Sequence, residues 1–299
     1  MVMMIEFLKM HGLGNDFIVF DARASHRLAD MHLDEATARL LADRRFGVGC
    51  DQIMILREPR NGGDIYLDMR NQDGSQTGAC GNGTRCVASL LMAQTGQEAV
   101  AIETKAGMLF ARQKGALIEV NMGQAYLEWN EIPLAQPTDT LAIDLAPHEE
   151  ISAVGVSLGN PHAVLFVDDA DSVDVAKRGA ILERSAPFPE GVNVSFAHII
   201  APDKIRMRVF ERGVGITSAC GSGACAVGVA AHRRGLAGRD TEIVLDGGSL
   251  FITWQDDGTV AMAGPVATSY QGVLSGALAQ AFENAQSAHN ITMAEPHVS

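Results

Sequence analysis

Apolar residues along this chain come in short runs broken by Gly, Asn and Asp, a pattern that reads as strands more often than helices. In the first half the runs are MIEFLKM, FIVFDA, QIMILRE, DIYLDMR, VAIETKAG, MLFARQ and ALIEVNMG. In the second half they are AVGVSLG, HAVLFVDD, VNVSFAHII, KIRMRVFE, TEIVLDGG, SLFITWQDD and TVAMAGP. Three segments carry helical spacing instead. LDEATARLLADRRFG offers Asp34 as an N-cap and ends on Arg44 and Arg45 before Gly47. GNGTRCVASLLMAQTG stops at Gly96, and GSGACAVGVAAHRRG places His232, Arg233 and Arg234 in its last turn before Gly235. The pattern predicts an α+β protein.

Laid over one another, the two halves match in order. GNDFIVFD at 14–21 answers GNPHAVLF at 159–166, 145 residues on (159 − 14). FGVGCDQIMIL at 46–56 answers EGVNVSFAHII at 190–200, 144 on (190 − 46), and ACGNGTRCVA at 79–88 answers ACGSGACAVG at 219–228, 140 on (219 − 79). The expected organisation is two similar domains. The first covers 1–124 plus a returning strand at about 266–280, near AGPVATSYQG, and the second covers 125–265. Residues 281–299, ENAQSAHNITMAEPHVS from Glu283 on, show no sustained apolar period and are expected to fray.

Composition narrows the function. Hydrophobic residues make up 47% of 299, enough for two cores, and the net charge is -13, with no basic stripe to neutralise a nucleic acid. The apolar start MVMMIEFLKM carries Glu6 and Lys9 and lacks the basic region and small-residue cleavage site of a secretory signal, so it reads as the first strand. No run approaches the roughly 20 apolar residues that cross a bilayer. A soluble, cytoplasmic protein without a membrane or nucleic-acid partner is expected. Five cysteines, at 50, 80, 86, 220 and 225, form no C-x-x-C pair and suggest neither disulfides nor a zinc site.

Two of those cysteines stand apart. Cys80 and Cys220 each precede a glycine, each open a helix, and each recur at the repeat offset, whereas Cys86 and Cys225 fall inside the helices as core residues and Cys50 reads as structural. A helix start leaves unpaired N–H groups at the positive end of the dipole, which favours a thiolate or a substrate carboxylate. If the halves face each other across the repeat axis, one thiol lies on each face of a bound α-carbon. One sulfur then removes the proton and the other returns one from the opposite side.

At these residues the sequence closely resembles the diaminopimelate epimerases. The resemblance runs from KMHGLGNDFIVFD through RRFGVGCDQ, DMRNQDGSQTGACGNGTRC, VNMG, GNPHAV, GVNVSF and RVFERGVGITSACGSGACA to AGP at 263–265. It implies two pseudo-symmetric domains, each a curled, mostly antiparallel, barrel-like sheet around a central helix, with the active site between them. It also implies interconversion of L,L- and meso-diaminopimelate for lysine and wall-peptide synthesis, without pyridoxal phosphate or metal. Position by position, Cys80 and Cys220 match the proton-transfer residues, and His162 and Glu211 match residues thought to tune them. Gly81, Asn82, Gly221 and Ser222 match the helix starts that hold the reacting carboxylate. Asn15, Gln52, Asn71, Asn160, Asn193, Glu211 and Arg212 match substrate-binding positions. Each has a plainer reading when taken singly: Asn15 and Asn160 as turn formers, His162 as a structural histidine, Glu211–Arg212 as a surface pair.

The chain departs from the family pattern at Gly215–Ile216–Thr217, where many relatives read G-E-T, and at Cys50, which is expected to add a stray reactive thiol. Local repacking is expected at both. Three rivals remain on sequence grounds: a two-cysteine racemase of proline-like amino acids, a thiol–disulfide enzyme using Cys80 and Cys220, and a non-catalytic binder. A homodimer is the expected assembly.

Overall fold

The computed structural model describes residues 4–23, 28, 31–78, 80–145 and 147–294, with backbone alone over 288–294. The chain folds into two compact units, Met1–Gln113 with Val266–Ser299, and Lys114–Pro265.

The first unit contains β1 (Ile5–Gly12), β2 (Asn15–Asp21), α1 (Glu35–Ala42), β3 (Gln52–Arg57), β4 (Ile65–Asn71), β5 (Gln76–Thr77), α2 (Gly81–Thr95), β6 (Ala99–Thr104) and β7 (Gly107–Lys114). The second contains β8 (Leu117–Gln124), β9 (Val154–Ser157), β10 (Pro161–Phe166), α3 (Val175–Leu182), β11 (Asn193–Ala201), β12 (Lys204–Glu211), β13 (Gly215–Ile216), α4 (Gly221–Arg233), β14 (Asp240–Leu245), β15 (Gly248–Trp254) and β16 (Thr259–Gly264). The chain then adds β17 (Ala267–Leu274) and α5 (Gly276–Ala294) to the first unit.

Strand pairing repeats between the units. In the first, β1–β2 is antiparallel, β2–β3 parallel, β3–β4 antiparallel, β4–β6 parallel and β6–β7 antiparallel. In the second, β9–β10, β10–β11, β11–β12, β12–β14 and β14–β15 follow the same sequence of senses. Each parallel step is made by a helix, α1 and α3 for β2–β3 and β10–β11, α2 and α4 for β4–β6 and β12–β14, as a parallel neighbour requires a crossover. The units differ at their edges, where β17 pairs with β1 and where β16 pairs with both β15 and β8. The strand β8, read from sequence as the end of the first half, therefore lies in the second unit.

Strands β2 and β3 read as unbroken apolar runs because both faces are covered. Ile18, Phe20, Ile53 and Ile55 pack with α1 and α5 in one core, while Met54, on the other face, reaches Gly83 of α2. In the second unit Ala163, Leu165, Val194 and Phe196 pack with α3, and Met207 reaches Gly223 of α4. Helix α2 packs on β1, β2 and β6, and α4 packs on strands from β9 to β16. Contact with strands so far apart in sheet order means that each sheet curls around its helix. Among the described residues neither sheet closes into a ladder; in the second unit an antiparallel bridge, Tyr126–Ser157, touches across the seam.

Two helices differ from the sequence reading. Helix α3, capped by Asp174, had no sequence counterpart, because Gly179 interrupts its helix-forming residues. The tail expected to fray from 281 is helical through Ala294, because Ala279, Phe282 and Ala285 recur at helical spacing and bury themselves on α1 and β2. Residues 295–299 lie outside the described residues.

Candidate active site

Helices α2 and α4 begin alike. Cys80 is the N-cap of α2, with extended backbone, and its sulfur accepts the Gly83 N–H at 3.4 Å; Cys220 caps α4 and accepts the Gly223 N–H at 3.4 Å. A thiol here does what Ser, Thr or Asp usually does, satisfying one of the orphan amides of the first turn. Neither first turn carries an acidic side chain to quench the positive end of the dipole. A side chain at the third helical position would press on the tip of a methionine. A Cβ on Gly83 would sit 2.1 Å from the Met54 methyl, and one on Gly223 would sit 3.1 Å from the Cys220 sulfur and 2.8 Å from the Met207 methyl.

Around Cys80, Asn15 and Asn82 are brought together. Asn15 Oδ1 lies 3.9 Å from the Cys80 sulfur and accepts from Asn82 Nδ2 at 3.2 Å. Gln52 and Asn71 are cross-strand partners, with Gln52 Nε2 donating to Asn71 Oδ1 at 2.9 Å and Asn71 Nδ2 donating to Ser75 Oγ at 3.1 Å. The buried oxygens Gln52 Oε1 and Asn82 Oδ1 have no hydrogen-bond partner among the described residues. Buried acceptors left over in this way suit a ligand that donates N–H groups.

Around Cys220, the same four positions hold a different chemistry. Asn160 Nδ2 donates to Ser222 Oγ at 3.2 Å, Ser222 Oγ is 3.7 Å from the Cys220 sulfur, and His162 Nε2 pairs with Asn160 Oδ1 at 3.1 Å. Asn193, opposite His162 in the β10–β11 ladder, donates to the Pro161 carbonyl at 2.9 Å and accepts from the Arg212 N–H at 3.0 Å. These bonds tie Asn193 to the loop that carries Arg212. Arg212 is exposed and donates to the Glu190 carbonyl at 3.2 Å. Thr217 donates to Glu211 Oε1.

The electrostatics of the two thiols differ. Burial, and then the charge of Glu211, pushes the Cys220 thiol well above its ordinary range, so it holds its proton in this state. Cys80 is half-buried. His162 is fully buried, and burial with the nearby Arg212 charge pushes it down to about 3, leaving a neutral ring whose Nε2 pairs with Asn160.

Cys50 corrects an expectation. It has no exposed surface, and burial pushes its thiol up to about 12, so it is no reactive thiol. Cys86 and Cys225 are buried within α2 and α4. Sequence reasoning missed two residues that hold the site: Asp51, which accepts from Asn15 Nδ2 at 2.8 Å, and Thr217, the partner of Glu211. Both sit inside the matched strings, beside Gln52 and before Ala219, and only the hydrogen bonds give them a role.

The strand registers also revise the repeat. Phe17 faces Gln52 and His162 faces Asn193, so Gln52 and Asn193 are equivalent, 141 apart (193 − 52) rather than 144. The second crossover is the shorter one.

Comparison with known proteins places the chain in a family. The family model described as diaminopimelate epimerase matches residues 7–128 and 154–268. The chain belongs to the diaminopimelate epimerase family. It is 52% identical over 275 residues to a diaminopimelate epimerase of Rhodospirillum centenum, covering 91% of this chain and 93% of that one. It is 52% identical over 273 residues to one of Acidiphilium cryptum, covering 91% and 97%. Among solved structures it is similar in fold to a hydroxyproline epimerase of Agrobacterium vitis (TM-score 0.62, 16% identity, 91% of each chain). It is also similar in fold to a phenazine biosynthesis PhzF-family protein of Enterococcus faecalis (TM-score 0.65, 15% identity, 92% of this chain and 100% of that one).

Proposed function

We propose that the protein interconverts L,L- and meso-diaminopimelate by two-base proton transfer at the α-carbon. The observation that carries this reading is the duplicated cap: a cysteine sulfur on the third amide of a helix, at the equivalent place in both repeats. One sulfur, as thiolate, takes the α-proton; the other, as thiol, gives its proton to the opposite face of the carbon. The helix-start amides at Gly81–Asn82 and Gly221–Ser222 would hold the reacting carboxylate, whose charge grows as the proton leaves. Cys220, its thiol pushed up by burial, is the protonated partner. Glu211, by its charge, and His162, through Asn160 and Ser222, would set that protonation.

The second amino-acid head of the substrate calls for acceptors and donors side by side. Asn15, Gln52, Asn71, Asn160 and Asn193 with Glu211 and Arg212 are the residues we assign to it, and the partnerless oxygens of Gln52 and Asn82 support acceptors for an ammonium. A site of this kind rejects analogues that lack the matching groups far better than an apolar pocket does. The same reading carries with it a cytoplasmic homodimer acting in lysine and wall-peptide synthesis. A substrate panel with purified protein and no added cofactor tests the assignment. Conversion of L,L-diaminopimelate to the meso isomer, with no turnover of proline or hydroxyproline, is expected; turnover of the ring amino acids alone would overturn it.

A further inference from the structure

We infer that Asp51 is a positioning residue that locks the Asn15 amide with its carbonyl oxygen toward Cys80, so that Asn15 presents an acceptor and selects an ammonium. A carboxylate can only accept, so the Asn15 atom 2.8 Å from Asp51 Oδ2 must be the amide nitrogen. The ambiguity that usually attends an Asn side chain is thereby removed. Oδ1 then points the other way, to Asn82 Nδ2 at 3.2 Å and the Cys80 sulfur at 3.9 Å.

Asp51 is itself clamped. Its Oδ2 also accepts the Asp16 N–H at 3.1 Å, and its own N–H donates to Asp16 Oδ1 at 3.0 Å. Arg44 Nη2 bridges Asp51 Oδ1 and Asp16 Oδ1, each at 2.7 Å, and Lys9 pairs with Asp16 Oδ2 at 2.7 Å. The network lies behind Asn15 and uses none of the groups assigned to substrate except that one amide.

The second repeat shows what happens without the carboxylate. By strand register Val192, fully buried, stands where Asp51 stands, and Pro161 stands where Asp16 stands. There the amide is turned around: Asn160 Oδ1 goes to His162 Nε2 and its Nδ2 goes to Ser222 Oγ at the Cys220 cap. The same residue type at equivalent positions is thus an acceptor beside one cysteine and a donor beside the other. Asp51, a pure acceptor, sets the first of these two arrangements.

The inference rests on the proposed epimerase site, and its test is chosen to read out without turnover. Asp51→Asn permits the Asn15 amide to flip and offer Nδ2 to a Cys80 thiolate. The rate of Cys80 alkylation by iodoacetamide near neutral pH, resolved by peptide mass spectrometry, is compared in wild type, Asp51→Asn, Asn15→Ala and the double variant. One gained hydrogen bond to an anion corresponds to roughly tenfold in thiolate reactivity. Asp51→Asn is expected to raise the rate by about that factor when Asn15 is present and to leave it within about twofold when Asn15 is Ala. In the active enzyme the KM for diaminopimelate should rise with little change in kcat. An equal change in both backgrounds would mean a through-space charge effect, and no change in either would mean no lock; both overturn the inference. Asp51→Ser provides the same comparison should Asp51→Asn not fold. Failure to turn over diaminopimelate with the alkylation pattern as expected would sink the substrate assignment and leave the lock standing.

Discussion

At the scale of single residues, the site depends on groups held in one protonation state by burial. His162 shows this most clearly, being fully buried and neutral with its pKa pushed down to about 3 from an ordinary 6.5. The unfolded chain binds a proton there as pH falls below about 6.5, while the folded chain does not, so stability is complete above that value and is lost as pH drops toward 3. The slope is at most about 1.4 kcal/mol per pH unit. Urea unfolding at pH 7 and pH 5 should therefore show wild type losing more stability than His162→Gln across that interval. Equal losses in the two proteins would mean that His162 titrates normally in the fold. The places of Cys80 and Cys220 at two helix starts were legible in the sequence because glycine, helix start and repeat offset coincide at both. Those of Asp51 and Thr217 were not, since a carboxylate or hydroxyl declares its partner only once strands and turns bring the two together.

At the scale of elements, the strands were plain because both faces of β2, β3, β10 and β11 are covered, which demands continuous apolar runs. Helices α2 and α4 were plain because glycine, small residues and a defined stop mark them. Helix α5 was hidden for a physical reason: alanine fills its buried positions around a single phenylalanine, so the apolar period is faint. Phe282 is nonetheless fully buried, with its ring 6.0 Å from that of Phe20. Removing it should cost about 3–5 kcal/mol. Phe282→Ala is thus expected to lower the urea midpoint markedly, and a shift of a few tenths of a kcal/mol would mean that α5 is not part of the core. Helix α3 was missed because a glycine, a poor helix former, sits in its middle, and packing decides it: a Cβ on Gly179 would meet Phe210 at 2.4 Å.

At the scale of the whole molecule, duplication was the most legible feature, and pairing senses repeat strand for strand in the two units. What the string comparison could not give was the true register, since a shortened crossover shifts the offset from 145 to 141 between β2 and β3. Nor could it give the edges, where β8 joins β16 and β17 joins β1 across long stretches of chain. Two equivalent cysteines on two equivalent helix starts are the feature on which the functional account stands. The measurement that tests it most directly is proton NMR of L,L-diaminopimelate with the protein in deuterated water, without added cofactor, beside Cys80→Ala and Cys220→Ala. The account predicts that wild type exchanges the α-proton and forms the meso isomer while neither variant does. Meso isomer formed by either variant at the wild-type rate would contradict it.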